Sequence, residues 1–228
     1  MLENNLAHIR ERISQAAIKA GRQAQEIKLV AVSKGQSVDS MRALAQAGQI
    51  VFGESYLQEA QHKIEQMTDL SIVWHFIGRL QSNKANRASA LFATIESVHK
   101  KELADRLNQQ AALLDKNIEI LIQVSLAGEA AKSGCSPEQL EPLAQHVATL
   151  PHLRLRGLMT MPPFDDDAEK SRPYFVRLRE LANKLAPNLP TGSMNELSMG
   201  MSDDYPIAIE EGATLVRVGT ALFGARQY

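Results

Sequence analysis

Ile27-Lys-Leu-Val-Ala-Val-Ser33 is followed at once by Lys34 and then, past Gly35 and Gln36, by an amphipathic stretch from Ser37 to Ala47 that stops before Gly48. A short apolar, β-branched run predicts a strand, and apolar residues at helical spacing predict a helix. Read outward, the unit repeats. Further strands are predicted at Ile50–Gly53, Ile72–Gly78, Thr94–Val98, Ile118–Ser125, Leu155–Met161, Glu196–Gly200 and Thr214–Gly219. Helical patterns lie between them at Ser55–Met67, Ser82–Phe92, Lys100–Leu114, Pro137–Leu150, Ala168–Leu185 and Asp203–Glu211. Strands alternating with helices imply right-handed parallel crossovers. Eight of them are the number that closes a (β/α)8 TIM barrel. The amino terminus adds an extra helix, with Leu2, Leu6, Ile9 and Ile13 on one face. Gly48 and Gly212 are expected to end helices in the left-handed conformation that glycine takes at no steric cost. An open doubly wound sheet is the alternative, but it would want a glycine-rich phosphate turn after its first strand, and AVSKGQS is not one.

No linker or change of composition divides the 228 residues, so residues 1–228 are expected to form a single domain. Lys and Arg total 25 against 26 Asp and Glu, a balance that gives no support to a nucleic-acid partner. Cys135 is the only cysteine, which excludes an intrachain disulfide and fits a reducing compartment. No apolar run reaches the roughly 18 residues of a membrane span, and the amino terminus lacks the apolar core of a signal peptide. A cytoplasmic protein is expected. Histidines at 8, 62, 75, 99, 146 and 152 show no metal-binding spacing, so no metal site is predicted.

In a barrel the chemistry gathers where strands end. Lys34 stands at such an end. A lone lysine there is ordinarily a solvated charge, although one held over the barrel mouth can form an imine. After the seventh strand, Ser198-Met-Gly-Met-Ser202-Asp-Asp204 offers hydroxyls, a glycine and a helix start. After the eighth, Gly219-Thr220 offers a glycine and a hydroxyl. These two loops are the recurrent phosphate site of such barrels, although helix capping by Ser202 and Asp203 uses the same backbone N–H groups. Alternation puts Arg217 on one face with Leu215, where a buried charge needs a salt-bridge partner or a polar cavity.

The segments AVSK (Ala31–Lys34), FGES-Y-QE (Phe52–Glu59), WHFIGRLQSNK (Trp74–Lys84), RGLMTMPP (Arg156–Pro163) and LSMGMSDD through VRVGTALFGAR (Leu197–Arg226) resemble the pyridoxal phosphate homeostasis proteins. The likeness spans the chain, and that family in turn resembles the barrel domain of alanine racemase. The resemblance implies a pyridoxal 5'-phosphate-binding barrel with the cofactor covalently attached to Lys34 as a Schiff base. It implies phosphate contacts from Ser198, Gly219 and Thr220, with Ser202 a fourth, and Arg217 facing the pyridine nitrogen. His75 and Met159 fall on segments that approach the cofactor. Two departures stand out. Ser55 replaces the usual asparagine near the ring, so a shorter or water-mediated contact is expected there. Gly35 and Ser37 replace a threonine and a proline, so the turn after Lys34 is less constrained.

Two functions use the same attachment. One is cofactor holding and delivery, without robust turnover, with apo forms of pyridoxal phosphate enzymes as candidate partners. The other is amino-acid racemisation, which needs proton-transfer groups on both faces of the substrate carbon. The resembling racemases draw their second group, a tyrosine, from an additional domain across a dimer. The chain stops at Tyr228, which leaves no room for one, so a monomeric homeostasis protein is expected. A third reading makes Lys34 the imine lysine of a sugar-phosphate aldolase.

Overall fold

Each backbone N–H and C=O of a strand must find a partner, and here the eight strands satisfy them by closing on one another. In the computed structural model, which describes residues 1–127 and 134–224, all eight strands are parallel and form a closed barrel in chain order. They are β1 (Lys28–Val32), β2 (Val51–Glu54), β3 (Val73–Phe76), β4 (Thr94–Val98), β5 (Ile118–Gln123), β6 (Leu153–Met159), β7 (Glu196–Ser198) and β8 (Leu215–Val218). Closure comes from β1 against β8, with Val30 opposite Arg217 and Ala31 opposite Val218.

The helices are α1 (Leu2–Lys19), α2 (Val38–Gln46), α3 (Leu57–Gln66), α4 (Ala85–Leu91), α5 (Lys101–Leu113), α6 (Pro137–Ala148), α7 (Arg172–Leu185), α8 (Tyr205–Glu210) and α9 (Thr220–Phe223). The added helix α1 buries Leu6, Ile9, Ile13, Ala16 and Ala17. Cations on it and just after it serve neighbouring helix ends. Arg10 donates to the carbonyls of Ala47 and Gly48 after α2, and Arg22 to those of Ile209 and Ala213 around the end of α8. A helix leaves its last carbonyls without internal partners, and a cation both satisfies and attracts them. Gly48 and Gly212 have φ of 84° and 99°, as expected of left-handed caps.

Side chains alternate between two cores. Trp74, Phe76, Ile95, Leu158, Val216 and Val218 pack outward into a continuous apolar core shared with the helices. The alternate positions point into the barrel. Val30, Ile77, Leu121, Met159 and Leu215 are buried there with polar companions His75, Glu96, Gln123, Ser198 and Arg217. Gly53 sits among them, since a Cβ on it would meet Val30 and Ile77.

Several element boundaries differ from expectation. β6 begins at Leu153, two residues early, because Leu153 and Leu155 are both buried against the helical layer. The segments predicted as helices from Ser82 and Ala168 open as tight 3-10 turns, Ser82–Lys84 and Ala168–Ser171, before α4 and α7. Helix α8 begins at Tyr205, not Asp203, with Pro206 in its first turn. Helix α9 was not anticipated. It follows directly on β8, from Thr220 to Phe223.

Cys135 pairs through its backbone with the end of β5, its N–H donating to Gln123. Burial pushes its thiol up to about 12. The thiolate is the reactive form, so the folded protein should leave Cys135 unmodified by iodoacetamide at neutral pH, whereas denaturant should expose it. Rapid native labelling, read by mass spectrometry, would contradict this packing.

Candidate functional site

The carboxyl ends of the strands enclose a cavity of about 260 Å³. β1 ends in a turn that brings Lys34, half-buried, to its wall. Ser55 arrives from the end of β2 and Ile77 from β3. Met161 and Phe164 follow β6, Met201 to Asp203 follow β7, and Gly219 and Thr220 follow β8. Arg217 reaches the same space from inside β8.

The two loops proposed for phosphate are tied together. Ser202 Oγ accepts the Ala221 N–H at 3.2 Å, so Ser202 supports the start of α9. The capping anticipated for Ser202 and Asp203 at α8 does not occur. Asp204 stands at that end and accepts the Met201 N–H at 2.6 Å. The hydroxyl proton of Ser202 remains available to an acceptor, because its oxygen is the partner of Ala221.

Directly beneath the cavity lies a buried polar chain. One Arg217 N–H donates to Ser198 Oγ at 2.5 Å and another to the Thr160 carbonyl at 2.8 Å. Ser198 Oγ donates in turn to Glu96 Oε2 at 2.5 Å, and His75 Nδ1 lies 2.6 Å from Glu96 Oε1. Burial pushes the Glu96 carboxyl up. The His75 hydrogen bond, the charges of His75 and Arg217, and the Ser198 hydroxyl outweigh it and hold the group below its ordinary value. Burial also lowers Arg217, against the charges of Glu96 and Asp204. A guanidinium nevertheless stays protonated in a protein.

Lys34, Ser55, Ser202, Arg217, Gly219 and Thr220 therefore share one cavity. His75, Met159 and Ser198 do not line it. They point the same way but sit one layer deeper, and Ile77, Met161 and Met201–Ser202 occupy the layer above. Inward-facing residues recur every second position, so the residue that touches the cavity comes just beyond the strand. Sequence reasoning also missed Glu96. An acid within the β-branched run TIESV, at the parity of inward-facing residues, was the available signal. The motif ending in Arg226 runs past Gly224, and residues 225–228 lie outside the described residues.

The sequence matches the family described as alanine racemase, N-terminal domain, over residues 4–227. A curated relative from Pseudomonas aeruginosa, named pyridoxal phosphate homeostasis protein, is 45% identical over 227 residues, covering 100% of this chain and 96% of its own length. The chain belongs to the pyridoxal phosphate homeostasis protein family. A second family member, from Pasteurella multocida, is 42% identical over 229 residues, with 100% and 98% covered. Among solved structures, PipY of Synechococcus elongatus PCC7942, described with PLP bound, is 36% identical with a TM-score of 0.88, over 98% of this chain and 100% of PipY. Alanine racemase of Clostridium difficile, at 16% identity, shares the barrel with a TM-score of 0.75 and is covered over 57% of its length.

Proposed function

We propose that this chain binds pyridoxal 5'-phosphate in the cavity at the strand ends, held covalently through the Lys34 amine, and serves cofactor homeostasis without robust turnover. One observation carries the proposal: a single cavity gathers an amine, three hydroxyls, a glycine-bearing strand end and a buried guanidinium. This donor set fits a small planar phosphate ester that carries an aldehyde. Bound there, the cofactor supplies that aldehyde to an amine and a conjugated ring beside it.

Each residue has a task. Lys34 presents its amine at the wall of the cavity. The hydroxyls of Ser202 and Thr220 and the backbone at Gly219 offer donors to the phosphate. Ser55, half-buried at the end of β2, offers a short hydroxyl toward the ring. Arg217 presents a permanent charge that disfavours a proton on the pyridine nitrogen, which weakens the ring as an electron sink. Ser198, Glu96 and His75 act from below, fixing Arg217 rather than touching the phosphate, and Met159 packs beside them. No tyrosine or histidine lines this cavity among the described residues, which favours holding over two-sided proton transfer.

Apo forms of pyridoxal phosphate enzymes are the proposed recipients. A monomer in the cytoplasm is the proposed state, and that reducing compartment suits the free thiol of Cys135. No helix among the described residues is long and apolar enough to cross a membrane. The test is a visible spectrum of the loaded protein, followed by borohydride reduction and peptide mapping. The expected result is loss of colour with cofactor mass fixed on the peptide containing Lys34. Cofactor mass on another lysine would overturn the assignment. Racemisation of an amino acid by the loaded protein at rates near one per second, ordinary for an enzyme, would overturn the homeostasis reading.

A further inference from the structure

The turn that carries Lys34 is gripped from behind by a buried ion cluster that the proposed chemistry does not use. Lys63 of α3 is only 4% exposed. Its ammonium donates to the Ser33 carbonyl at 2.6 Å, to Glu54 Oε1 at 2.8 Å and to Glu59 Oε1 at 2.5 Å. Three N–H groups thus meet three acceptors, the full capacity of a lysine. Glu59 Oε1 also accepts the Gly35 N–H at 2.5 Å, and Glu54 Oε1 accepts the Ser33 hydroxyl at 2.7 Å.

The consequence concerns the residue between. The carbonyl before Lys34 and the N–H after it both end on one ammonium–carboxylate pair. The turn also closes on itself, the Gln36 N–H donating to the Ser33 carbonyl at 3.0 Å. The site cavity lies on one side and a second cleft, lined by Gly35, Glu59 and Lys63, on the other, with Gln36 bordering both. Burying an ammonium is costly unless its partners repay the lost hydration, and an exposed position on α3 would have avoided that cost. The sequence around the turn gives the cluster a purpose. Gly35 sits at φ 72°, a conformation glycine enters and leaves easily, so a grip on its N–H from α3 matters.

Resting on the assignment of Lys34 above, we infer that Lys63 and Glu59 are positioning residues that fix the turn after β1 and thereby aim the Lys34 amine into the cavity. Burial raises the Glu54 carboxyl above its ordinary value, against the charge and hydrogen bond of Lys63. Removal of the ammonium therefore leaves a carboxyl able to take up a proton, so Lys63→Met need not strand a buried charge.

The test uses full-length protein and the variants Lys63→Met, Glu59→Leu and Glu59→Gln, each checked for native circular dichroism. Apoprotein is pulsed with acetic anhydride, and acetylation of Lys34 is read by mass spectrometry relative to exposed Lys101. Separately, protein is mixed with pyridoxal phosphate, and covalent loading on Lys34 is followed by borohydride trapping. Misplacing a reacting group by about 1 Å costs up to about a hundredfold in rate. Lys63→Met and Glu59→Leu are expected to load at least about tenfold more slowly and to change the relative acetylation of Lys34. Glu59→Gln keeps an oxygen for the Gly35 N–H and should recover most of the loading rate. A purely structural cluster would lower stability and leave the relative reactivity of Lys34 alone. Loading and labelling within about twofold of wild type in the folded variants would overturn the inference. Should Lys63→Met fail to fold, Glu59→Leu, at a half-exposed position, decides the matter. Unchanged covalent loading in Lys34→Ala would instead defeat the assignment of Lys34, while the acetylation of apoprotein still judges the cluster.

Discussion

Lys34→Ala is expected to yield a folded protein that no longer takes up pyridoxal phosphate covalently and stays colourless after desalting. The substitution removes the one lysine that lines the cavity among the described residues and leaves Ser202, Gly219, Thr220 and Arg217 in place. Residual binding should persist through those donors, at least about a hundredfold weaker, equivalent to roughly 2.7 kcal/mol. Because Lys34 is half-buried at a strand end, the unfolding free energy should change by no more than about 1 kcal/mol. Equilibrium dialysis gives the affinity and urea unfolding the stability. Wild-type affinity in Lys34→Ala would remove the covalent attachment from the proposal. A large loss of stability would show that the lysine serves the fold.

Glu96→Gln is expected to cost about 3 kcal/mol of stability at neutral pH, the usual loss when one partner of a buried ionic cluster is neutralised. The side chain is fully buried, with Ser198 on one oxygen and His75 on the other, and Arg217 one bond further on. Glutamine can still accept one hydrogen bond, but the buried guanidinium then loses the larger of its two opposing charges, Glu96 and Asp204. The pH dependence follows from the direction of the shift. An unfolded glutamate titrates near about 4.3, and folded Glu96 lies below its ordinary value. Its stabilisation is therefore complete above the unfolded value and disappears as the pH falls through the lower folded one. The wild type should lose this contribution in acid, and Glu96→Gln should show a flatter acid limb. Urea midpoints measured between neutral pH and acid check both statements. A loss under about 1 kcal/mol with an unchanged limb would mean that the cluster carries little net energy.

The fold was legible because period and punctuation agreed. The strand at Thr94–Val98 was read to the residue, and Gly48 and Gly212 marked two helix ends. Boundaries failed where local preference met long-range packing, as at Leu153, or where a short turn preceded a helix, as at Ser82. The candidate site was legible in part, for a different reason. Lys34, Arg217 and the two hydroxyl-bearing loops lie at or near strand ends, and counting strands brings them together. Depth along the barrel is not encoded in alternation, so His75, Met159 and Ser198 were placed a layer too high. Lys63 was out of reach altogether. With Glu59 one turn earlier, it has the spacing of an ordinary solvated helix pair. Only its contacts with Ser33 just after β1 and with Glu54 of β2 set it apart.

The closed sheet has one more consequence. Every strand from β1 to β8 has a neighbour on both sides, so the barrel presents no open edge of unpaired backbone groups. The proposed handover to recipient enzymes thereby forgoes recognition by strand addition, in which main-chain hydrogen bonds supply affinity and invite promiscuous aggregation. Any handover has to be negotiated by side chains on the loops and helices around the rim. Contact there can be brief and varied, while the scaffold beneath offers nothing to which a partner could anneal.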